Sequence, residues 1–271
     1  MARDFAIICQ LGRVEKQPSQ ANLTLGGFQR VEKRYHFGMR ILSTLFALLA
    51  LPAFAEDVEL ELVLLADASG SITEAEIEFQ RQGYAGAITD PRVLSAIQNS
   101  AYGAIAVTYV EWAANTAVVV DWTRIDGLES ARAFADALID PPRQAYGRNA
   151  IGAALLDGKR LIERNDFEGW RKVIDFSGDS PNSYSGPSIS SARDEVVSAG
   201  ITINGLPILC RLCDTPARFP NLAEIYEERI IGGIGAFVVT ATSEDDLAEA
   251  IRRKLILEIS GLEPSEKVAS K

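Results

Sequence analysis

The sequence predicts an α/β fold with a doubly wound, mostly parallel sheet, one antiparallel edge strand and helices on both faces. Three observations carry this prediction. Residues 60–66 form a nearly unbroken apolar run, LELVLLA, which is typical of a strand buried on both faces of a parallel sheet. Residues 104–112 and 117–122 are rich in β-branched and aromatic side chains and are joined by a short connection, as in an antiparallel hairpin. After this hairpin, helical and strand-like segments alternate along the chain, as they do in βαβ units.

The remaining elements follow from local signals. Thr73 and Glu76 form a capping box, which predicts a helix running to about Ile88. Gly200 favours a helix end before it, and a strand is expected over residues 201–208. We further expect helices at 130–138, 151–162, 188–199, 221–229 and 243–257, and strands at 172–176 and 236–240.

The N-terminal part of the sequence contains the pattern of a secretory signal peptide. Met39 and Arg40 precede an apolar core at residues 41–51, and this is followed by Pro52 and an A-x-A cleavage pattern ending at Ala55. The core is too short to cross a bilayer, which takes about 20 residues. We therefore expect residues 39–55 to be a signal peptide and residues 1–38 to be a mis-assigned start or a disordered extension. The folded domain is then expected at 56–262, before a flexible tail at 263–271, and no stable membrane insertion is expected after cleavage.

The charge of the expected mature chain is strongly acidic. Seven basic and three acidic side chains lie before residue 56, so the formal charge changes from −10 for the whole sequence to −14 for the remainder. Such a charge argues against nucleic acid and anionic membrane surfaces as partners. Together with the signal peptide, it predicts a periplasmic or secreted protein.

Histidine and cysteine usage limits the chemistry of the mature chain. The only histidine, His36, precedes the predicted cleavage site, so histidine-based catalysis and histidine-ligated metals are not expected. Cys210 and Cys213 form a C-x-x-C pattern in a loop bounded by prolines. In an oxidising compartment this pattern most simply forms a local disulfide, although a redox role stays open.

Oxygen-bearing side chains follow the first predicted strand at alternate positions. Asp67, Ser69 and Ser71 are separated by small residues, and alternate side chains of an extended backbone project to the same side. Oxygen ligands of low total charge suit a hard divalent cation such as Mg²⁺. The alternative is an ordinary loop in which these side chains satisfy backbone donors.

Two further loops are expected at the same edge of the sheet, because ligands of open α/β sheets bind beyond the carboxyl ends of the strands. The first is the segment 147–155, GRNAIGAAL, which opens a helix. The second is the segment 173–182, VIDFSGDSPN, in which a strand ends in a Gly-Asp turn.

These three segments together resemble the von Willebrand factor type A (vWA) domain, a Rossmann-like fold with a metal-ion-dependent adhesion site. The resemblance covers about residues 58–259, and several phrases, among them AVTYVEWA and GITINGLPIL, resemble an uncharacterised group of exported proteobacterial proteins within this superfamily. It implies that Asp67, Ser69, Ser71 and Asp179 bind Mg²⁺, or Mn²⁺ or Ca²⁺ in its place. Asn149 stands where the family has threonine and is expected to offer its side-chain carbonyl oxygen as the second-loop ligand, which implies a weakened site.

The resemblance also implies a function in binding: a protein partner offers an acidic side chain to the metal. A metal-free scaffold that uses the same surface is the alternative. A less favoured alternative is a serine hydrolase that uses the turn at Gly178, Asp179 and Ser180. A serine nucleophile needs an activating base, and only Lys159 or Lys172 is near in sequence, so we expect the protein not to be an enzyme.

Two acidic residues inside predicted strands need their own interpretation. Glu111 lies near the end of the first hairpin strand and is expected to face solvent. Asp175 lies within the strand 172–176 and is expected to accept hydrogen bonds from neighbouring loop amides.

Overall fold

The computed structural model describes residues 55–209, 219–241 and 244–262. The predicted N-terminal extension, the signal peptide up to residue 54, Cys210, Cys213 and the tail from residue 263 lie outside these ranges. No helix of the described part is long and apolar enough to cross a membrane.

The described part contains five strands and seven helices. The strands are β1 (Glu56–Asp67), β2 (Ile105–Trp112), β3 (Thr116–Ile125), β4 (Phe167–Gly178) and β5 (Thr202–Pro207). The helices are α1 (Glu74–Ile88), α2 (Pro91–Gln98), α3 (Leu128–Ile139), α4 (Ile151–Ile162), α5 (Ile189–Ser198), α6 (Leu222–Arg229) and α7 (Glu244–Ser260).

The strands form one sheet in the order β3-β2-β1-β4-β5. β1 pairs in parallel with β2 on one side and β4 on the other, and β4 pairs in parallel with β5. β3 pairs antiparallel with β2 and forms the edge. The predicted fold class is therefore confirmed. Because the chain moves outward from β1 in both directions, the strand order reverses beside the carboxyl end of β1, where such sheets bind their ligands.

The structure departs from the predicted elements in two places. Helix α2 was not expected; Asp90 caps it by accepting a hydrogen bond from the backbone N–H of Arg92, and Pro91 occupies its first turn. Within the segment predicted as a strand at 236–240, only Val238 forms a bridge, which is parallel and pairs it with Gly205. Its backbone therefore continues the sheet beyond β5 without a regular ladder.

Each face of the sheet packs against its own set of helices. Leu62 and Leu64 of β1 belong to a core with residues of α1, α2, α3 and α7, whereas Val63 and Leu65 point to a core with residues of α4, α5 and α6. This alternation along β1 explains its unbroken apolar sequence, because both faces of the strand are covered.

A buried cluster of charges lies between the sheet and α7. The Nζ atom of Lys254 is 2.8 Å from Oδ1 of Asp175 and also contacts Oε1 of Glu258, and all three side chains are excluded from solvent. Asn204 donates a hydrogen bond of 3.0 Å to the same oxygen of Glu258. Burial raises the pKa of Asp175 and raises that of Glu258 to about 7, although Lys254 opposes both shifts. The expectation that Asp175 binds loop amides is wrong, since its partner is a lysine far away in sequence.

We expect the substitution Glu258→Gln to flatten the pH dependence of stability. Because the pKa of Glu258 is about 7 in the folded protein and 4.5 in the reference state, the folded protein binds this proton more tightly than the unfolded chain. The wild-type free energy of unfolding should therefore fall as the pH rises from about 4.5 to about 7, on the order of 2–3 kcal/mol. Glutamine does not titrate, so the variant should lose the part of the slope that Glu258 contributes, measured by urea unfolding at pH 5 and pH 8, whereas Asp67 and Asp175 keep theirs.

The matched control is Glu227→Gln, which changes an exposed glutamate on α6 and should keep the wild-type slope. An unchanged slope in Glu258→Gln would contradict the prediction.

Candidate metal centre

The first predicted loop folds back on the end of β1. The backbone N–H of Ser69 donates a hydrogen bond of 2.8 Å to Oδ1 of Asp67. The hydroxyl oxygens of Ser69 and Ser71 lie 3.1 Å apart. Asp67 and Ser69 are buried and Ser71 is partly exposed. The two hydroxyl groups therefore lie close together, and the partly exposed Ser71 makes this position accessible from the surface.

The third predicted loop brings Asp179 to the same point. Ser71 donates a hydrogen bond of 3.2 Å from its hydroxyl to Oδ1 of Asp179, and the backbone N–H of Asp179 lies 3.4 Å from Oδ2 of Asp67. This contact follows from the sheet, because β1 and β4 are parallel neighbours and Leu65 pairs with Phe176. The residues that follow the two strands must leave the sheet side by side.

The second predicted loop is attached to the other two through its backbone. The carbonyl of Gly147 accepts a hydrogen bond of 2.7 Å from the N–H of Gly70, which lies between the two serines. The carbonyl of Asn149 accepts one of 2.8 Å from the N–H of Tyr184, beyond the third loop. Gly147 has a φ of +102°, a conformation that favours glycine. The loop is thus held between the first and third loops.

The side chain of Asn149 is buried, and its Nδ2 atom has no hydrogen-bond partner. A buried amide without a partner is costly. Rotation of the amide by 180° places its carbonyl oxygen where the nitrogen stands. The rotated amide would offer its oxygen as a ligand, so Asn149 fits the second-loop position of a cation site.

Tight packing fixes the backbone just before Asp179. The indole N–H of Trp112 donates a hydrogen bond of 3.0 Å to the carbonyl of Ser177, and the hydroxyl of Tyr226 donates one of 3.1 Å to the carbonyl of Gly178. A Cβ atom at Gly178 would lie 3.0 Å from Oδ2 of Asp67 and 3.0 Å from Trp112. The aromatic residues and the glycine therefore set the position of Asp179.

Arg143 supports the first loop and was missed by the sequence analysis. Its guanidinium donates hydrogen bonds to the backbone carbonyls of Ala68, Ser69 and Ile72, the last two at 2.8 and 3.0 Å. These bonds hold the loop in its turned conformation from the outside. The basic side chain lies 74 positions from Ser69 along the chain, and no local sequence pattern links the two.

Glu111 is buried, so the expectation that it faces solvent is wrong. Its Oε1 atom lies 2.5 Å from Nη2 of Arg81, and its Oε2 atom accepts hydrogen bonds from the backbone N–H groups of Gln144 and Ala145. This pair anchors the segment that enters the second loop. It therefore acts on the candidate site only through the backbone.

The electrostatics of the site favour a cation. Burial raises the pKa of Asp67 to about 7, and the nearby carboxylate of Asp179 adds to the shift, whereas hydrogen bonds from Ser69 oppose it. No lysine or arginine of the described part forms an ion pair with Asp67. A positive charge between the two carboxylates would relieve both the burial cost and their mutual repulsion.

The donor set fits a hard divalent ion. Neighbouring oxygens around an octahedral Mg²⁺, with bonds of about 2.0–2.1 Å, lie roughly 2.9 Å apart. The oxygen pairs Ser69–Ser71 and Ser71–Asp179 are separated by 3.1 and 3.2 Å. Nowhere in the described ranges do three His, Cys, Asp or Glu side chains form a metal-binding group. Binding here would therefore depend on the hydroxyl groups.

Residues 57–263 match the family described as "Protein of unknown function (DUF1194)". The chain belongs to this family. A comparison with curated protein sequences gives no significant match.

Several solved structures resemble this DUF1194 chain in fold, among them a von Willebrand factor type A protein. The pilus adhesin SpaC from Lactobacillus rhamnosus GG has a TM-score of 0.53 and 14% identity over 75% of this chain. A von Willebrand factor type A protein from Catenulispora acidiphila has a TM-score of 0.53 and 15% identity over 75% of this chain. Proximal thread matrix protein 1 from the mussel byssus, in a form with a zinc-occupied MIDAS motif, has a TM-score of 0.52 and 15% identity over 81%.

The chain spans 31% of the adhesin, 43% of the Catenulispora protein and 52% of the mussel protein. At these identities the likeness concerns the fold, and the DUF1194 chain has the vWA fold. The pilus protein is an adhesin and the mussel protein holds a divalent metal at its MIDAS motif, as their descriptions state.

Proposed function

We propose that this protein is an exported binding module that recognises a protein partner through a divalent cation at the carboxyl edge of its sheet. The observation that carries the proposal is the convergence of three side-chain oxygens: the hydroxyl of Ser71 lies 3.1 Å from that of Ser69 and 3.2 Å from a carboxylate oxygen of Asp179. Two loops far apart in sequence supply these groups, and the second loop, which carries Asn149, is hydrogen-bonded to the first through its backbone. The adhesin and the zinc-bearing protein among the fold neighbours support the same function.

Each residue has a defined part in this proposal. The hydroxyls of Ser69 and Ser71 and a carboxylate oxygen of Asp179 would bind the ion directly. The carboxylate of Asp67 accepts hydrogen bonds from the backbone N–H groups of Ser69 and Asp179 and supplies a second negative charge. When bound, Mg²⁺ or Mn²⁺ supplies an electrophilic coordination position for an acidic side chain of the partner. Neutral hydroxyl ligands suit this role because they leave the ion's charge only partly compensated.

The geometry supports binding rather than hydrolysis. Ser180 is buried and its hydroxyl accepts a hydrogen bond of 3.3 Å from the N–H of Asn182, so it caps a turn. Lys159 forms ion pairs with Glu163 and Glu195, and Lys172 with Glu61 and Glu168. Both lysines are therefore engaged by carboxylates other than those of the candidate site.

We also propose that residues 39–55 direct export and that residues 56–262 form the mature domain, which would place the protein in the periplasm or outside the cell. N-terminal sequencing of the exported protein should begin at Glu56. A mature chain that retains residues 1–38 would refute this processing.

Removal of both serine hydroxyls should weaken metal binding. In isothermal titration with Mg²⁺ and with Mn²⁺, we expect saturable binding to the wild-type protein and a loss of at least about tenfold in affinity for the double variant Ser69→Ala/Ser71→Ala. The reason is that two of the direct oxygen ligands are lost while the apolar core is untouched.

The control is Ser198→Ala, which removes an exposed hydroxyl at the far end of α5 and should bind the ions as the wild type does. Indistinguishable heats for the double variant and the wild type would end the metal proposal. If partner binding then persisted in EDTA, the metal-free scaffold would be the correct alternative.

A further inference from the structure

Arg148 is held in a fixed orientation beside the candidate site. Its guanidinium carbon lies 3.7 Å from the centre of the Tyr184 ring. Both residues are exposed, and the tyrosine is anchored by its backbone hydrogen bond to Asn149. Arg148 forms no ion pair with any residue that the structure describes.

Stacking prepares an arginine for an anion. The aromatic face covers one side of the planar guanidinium and reduces its freedom, while the N–H groups along its edge stay available. A carboxylate can then accept two parallel hydrogen bonds in the plane of the guanidinium. The Arg148–Tyr184 pair is thus a preformed carboxylate receptor, since no carboxylate of the described chain occupies it.

Arg148 belongs to the second loop of the proposed cation site. Arg148 lies between Gly147, whose carbonyl binds the N–H of Gly70, and Asn149, the expected second-loop ligand. Consecutive Cα atoms are about 3.8 Å apart, so the backbone of Arg148 is one residue from both contacts. Arg148 and the expected second-loop ligand thus share one loop, so we expect one short peptide segment to contact both the cation and the arginine.

Tyr184 is also one of the residues that line a cavity of about 610 Å³. Its walls carry the hydroxyl groups of several serines and the side chains of Arg193 and Arg229, with Glu228 at one margin. Arg193 donates a hydrogen bond of 3.2 Å to the carbonyl of Glu228 and pairs with Asp194. This surface is rich in arginine and hydroxyl groups, although residues 56–271 as a whole are strongly acidic.

We propose that the partner is recognised through an acidic peptide segment with two carboxylates, of which one completes the coordination of the cation and the other binds Arg148 on Tyr184. The segment then continues along the cavity lined by serines, Arg193 and Arg229. This inference rests on the proposed function. It adds the requirement for a second acidic residue and the arginine that selects it.

The test uses the domain in Mg²⁺ and a phage-displayed library of random dodecapeptides, with bound phage eluted by EDTA. The wild type should select peptides with two acidic residues a few positions apart, and Arg148→Gln should select peptides with a single one. The fluorescence anisotropy of a labelled wild-type-selected peptide should show about tenfold weaker binding to Arg148→Gln, whereas Mg²⁺ affinity stays unchanged.

Arg132→Gln is the control. Arg132 is exposed in the first half of α3, the helix that follows the edge strand β3. It should select and bind the same peptides as the wild type. Identical acidic patterns and affinities for the wild type and Arg148→Gln would overturn the role of Arg148 and leave the cation site intact. No EDTA-eluted enrichment on the wild type would instead overturn the proposed function, and this inference with it.

Discussion

Replacement of Lys254 by methionine should destabilise the protein by about 3–5 kcal/mol. The lysine is fully buried between Asp175 and Glu258. Methionine fills a similar volume but leaves two carboxyl groups without a positive charge. A loss of this size is a large share of the stability of a typical domain, so we expect a markedly larger unfolded fraction of the variant at neutral pH. Thermal and urea unfolding followed by circular dichroism measure the effect.

If the stability of Lys254→Met is lost because two buried carboxylates lack a positive charge, the loss should depend on pH. Because protonation neutralises Asp175 and Glu258, the deficit of Lys254→Met should shrink as the pH is lowered from 8 to 5. Adding Asp175→Asn and Glu258→Gln to the variant should restore part of the lost stability. Lys159→Met, which breaks a surface pair with Glu163, is the control and should change stability little. An equal deficit at both pH values would contradict the charge mechanism.

The substitution Gly152→Ala should destabilise the protein by about 2–3 kcal/mol and weaken metal binding. A Cβ atom at Gly152 would lie 2.3 Å from the carbonyl oxygen of Pro187 and 3.1 Å from that of Ser188. Backbone cannot move aside as a flexible side chain does, so the segment after the third loop must shift. Ser183, in the same segment, also accepts a hydrogen bond from the N–H of Ile151.

Gly86→Ala is the matched control, since both glycines lie in helices. Nothing lies within 4 Å of a Cβ atom at Gly86. Alanine there should raise stability by about 0.5–1 kcal/mol through helix propensity and leave Mg²⁺ binding unchanged. If Gly152→Ala had the melting temperature and the Mg²⁺ affinity of the wild type, the prediction would be contradicted. The helix would then be able to move away from the loop without loss of stability.

Much of the fold was predictable because its signals are local. The apolar run of β1 and the capping box of α1 each lie within about a dozen residues. Thr73 and Glu76 exchange the two capping hydrogen bonds that the sequence pattern predicts. The hairpin of β2 and β3 also depends on neighbouring segments. Such signals have a limit, because the segment 236–240 was predicted as a strand but does not form a regular ladder. Strand pairing depends on the side chains and backbone groups of the neighbouring strand, which a local pattern does not contain.

The candidate site divides in the same way. Asp67, Ser69 and Ser71 lie within one turn, so their convergence follows from alternation along the chain. The approach of Asp179 depends on β4 being the neighbour of β1, a relation that the strand order of the folded sheet establishes. The unpartnered amide of Asn149 is visible only after the loops are packed together.

By itself, the sequence determined the order of most elements, the parallel sheet with its antiparallel edge, and the oxygen ligands offered by the first loop. Only the tertiary structure decided which distant charges meet. Arg143 with the first loop, Arg81 with Glu111, and Lys254 with Asp175 are separated by 30 or more positions, and each charge is buried or nearly so. A local pattern reports on backbone conformation and on which side of an element faces the core. The pairing of buried charges depends instead on which elements pack together, because each charge must find its partner across the interior.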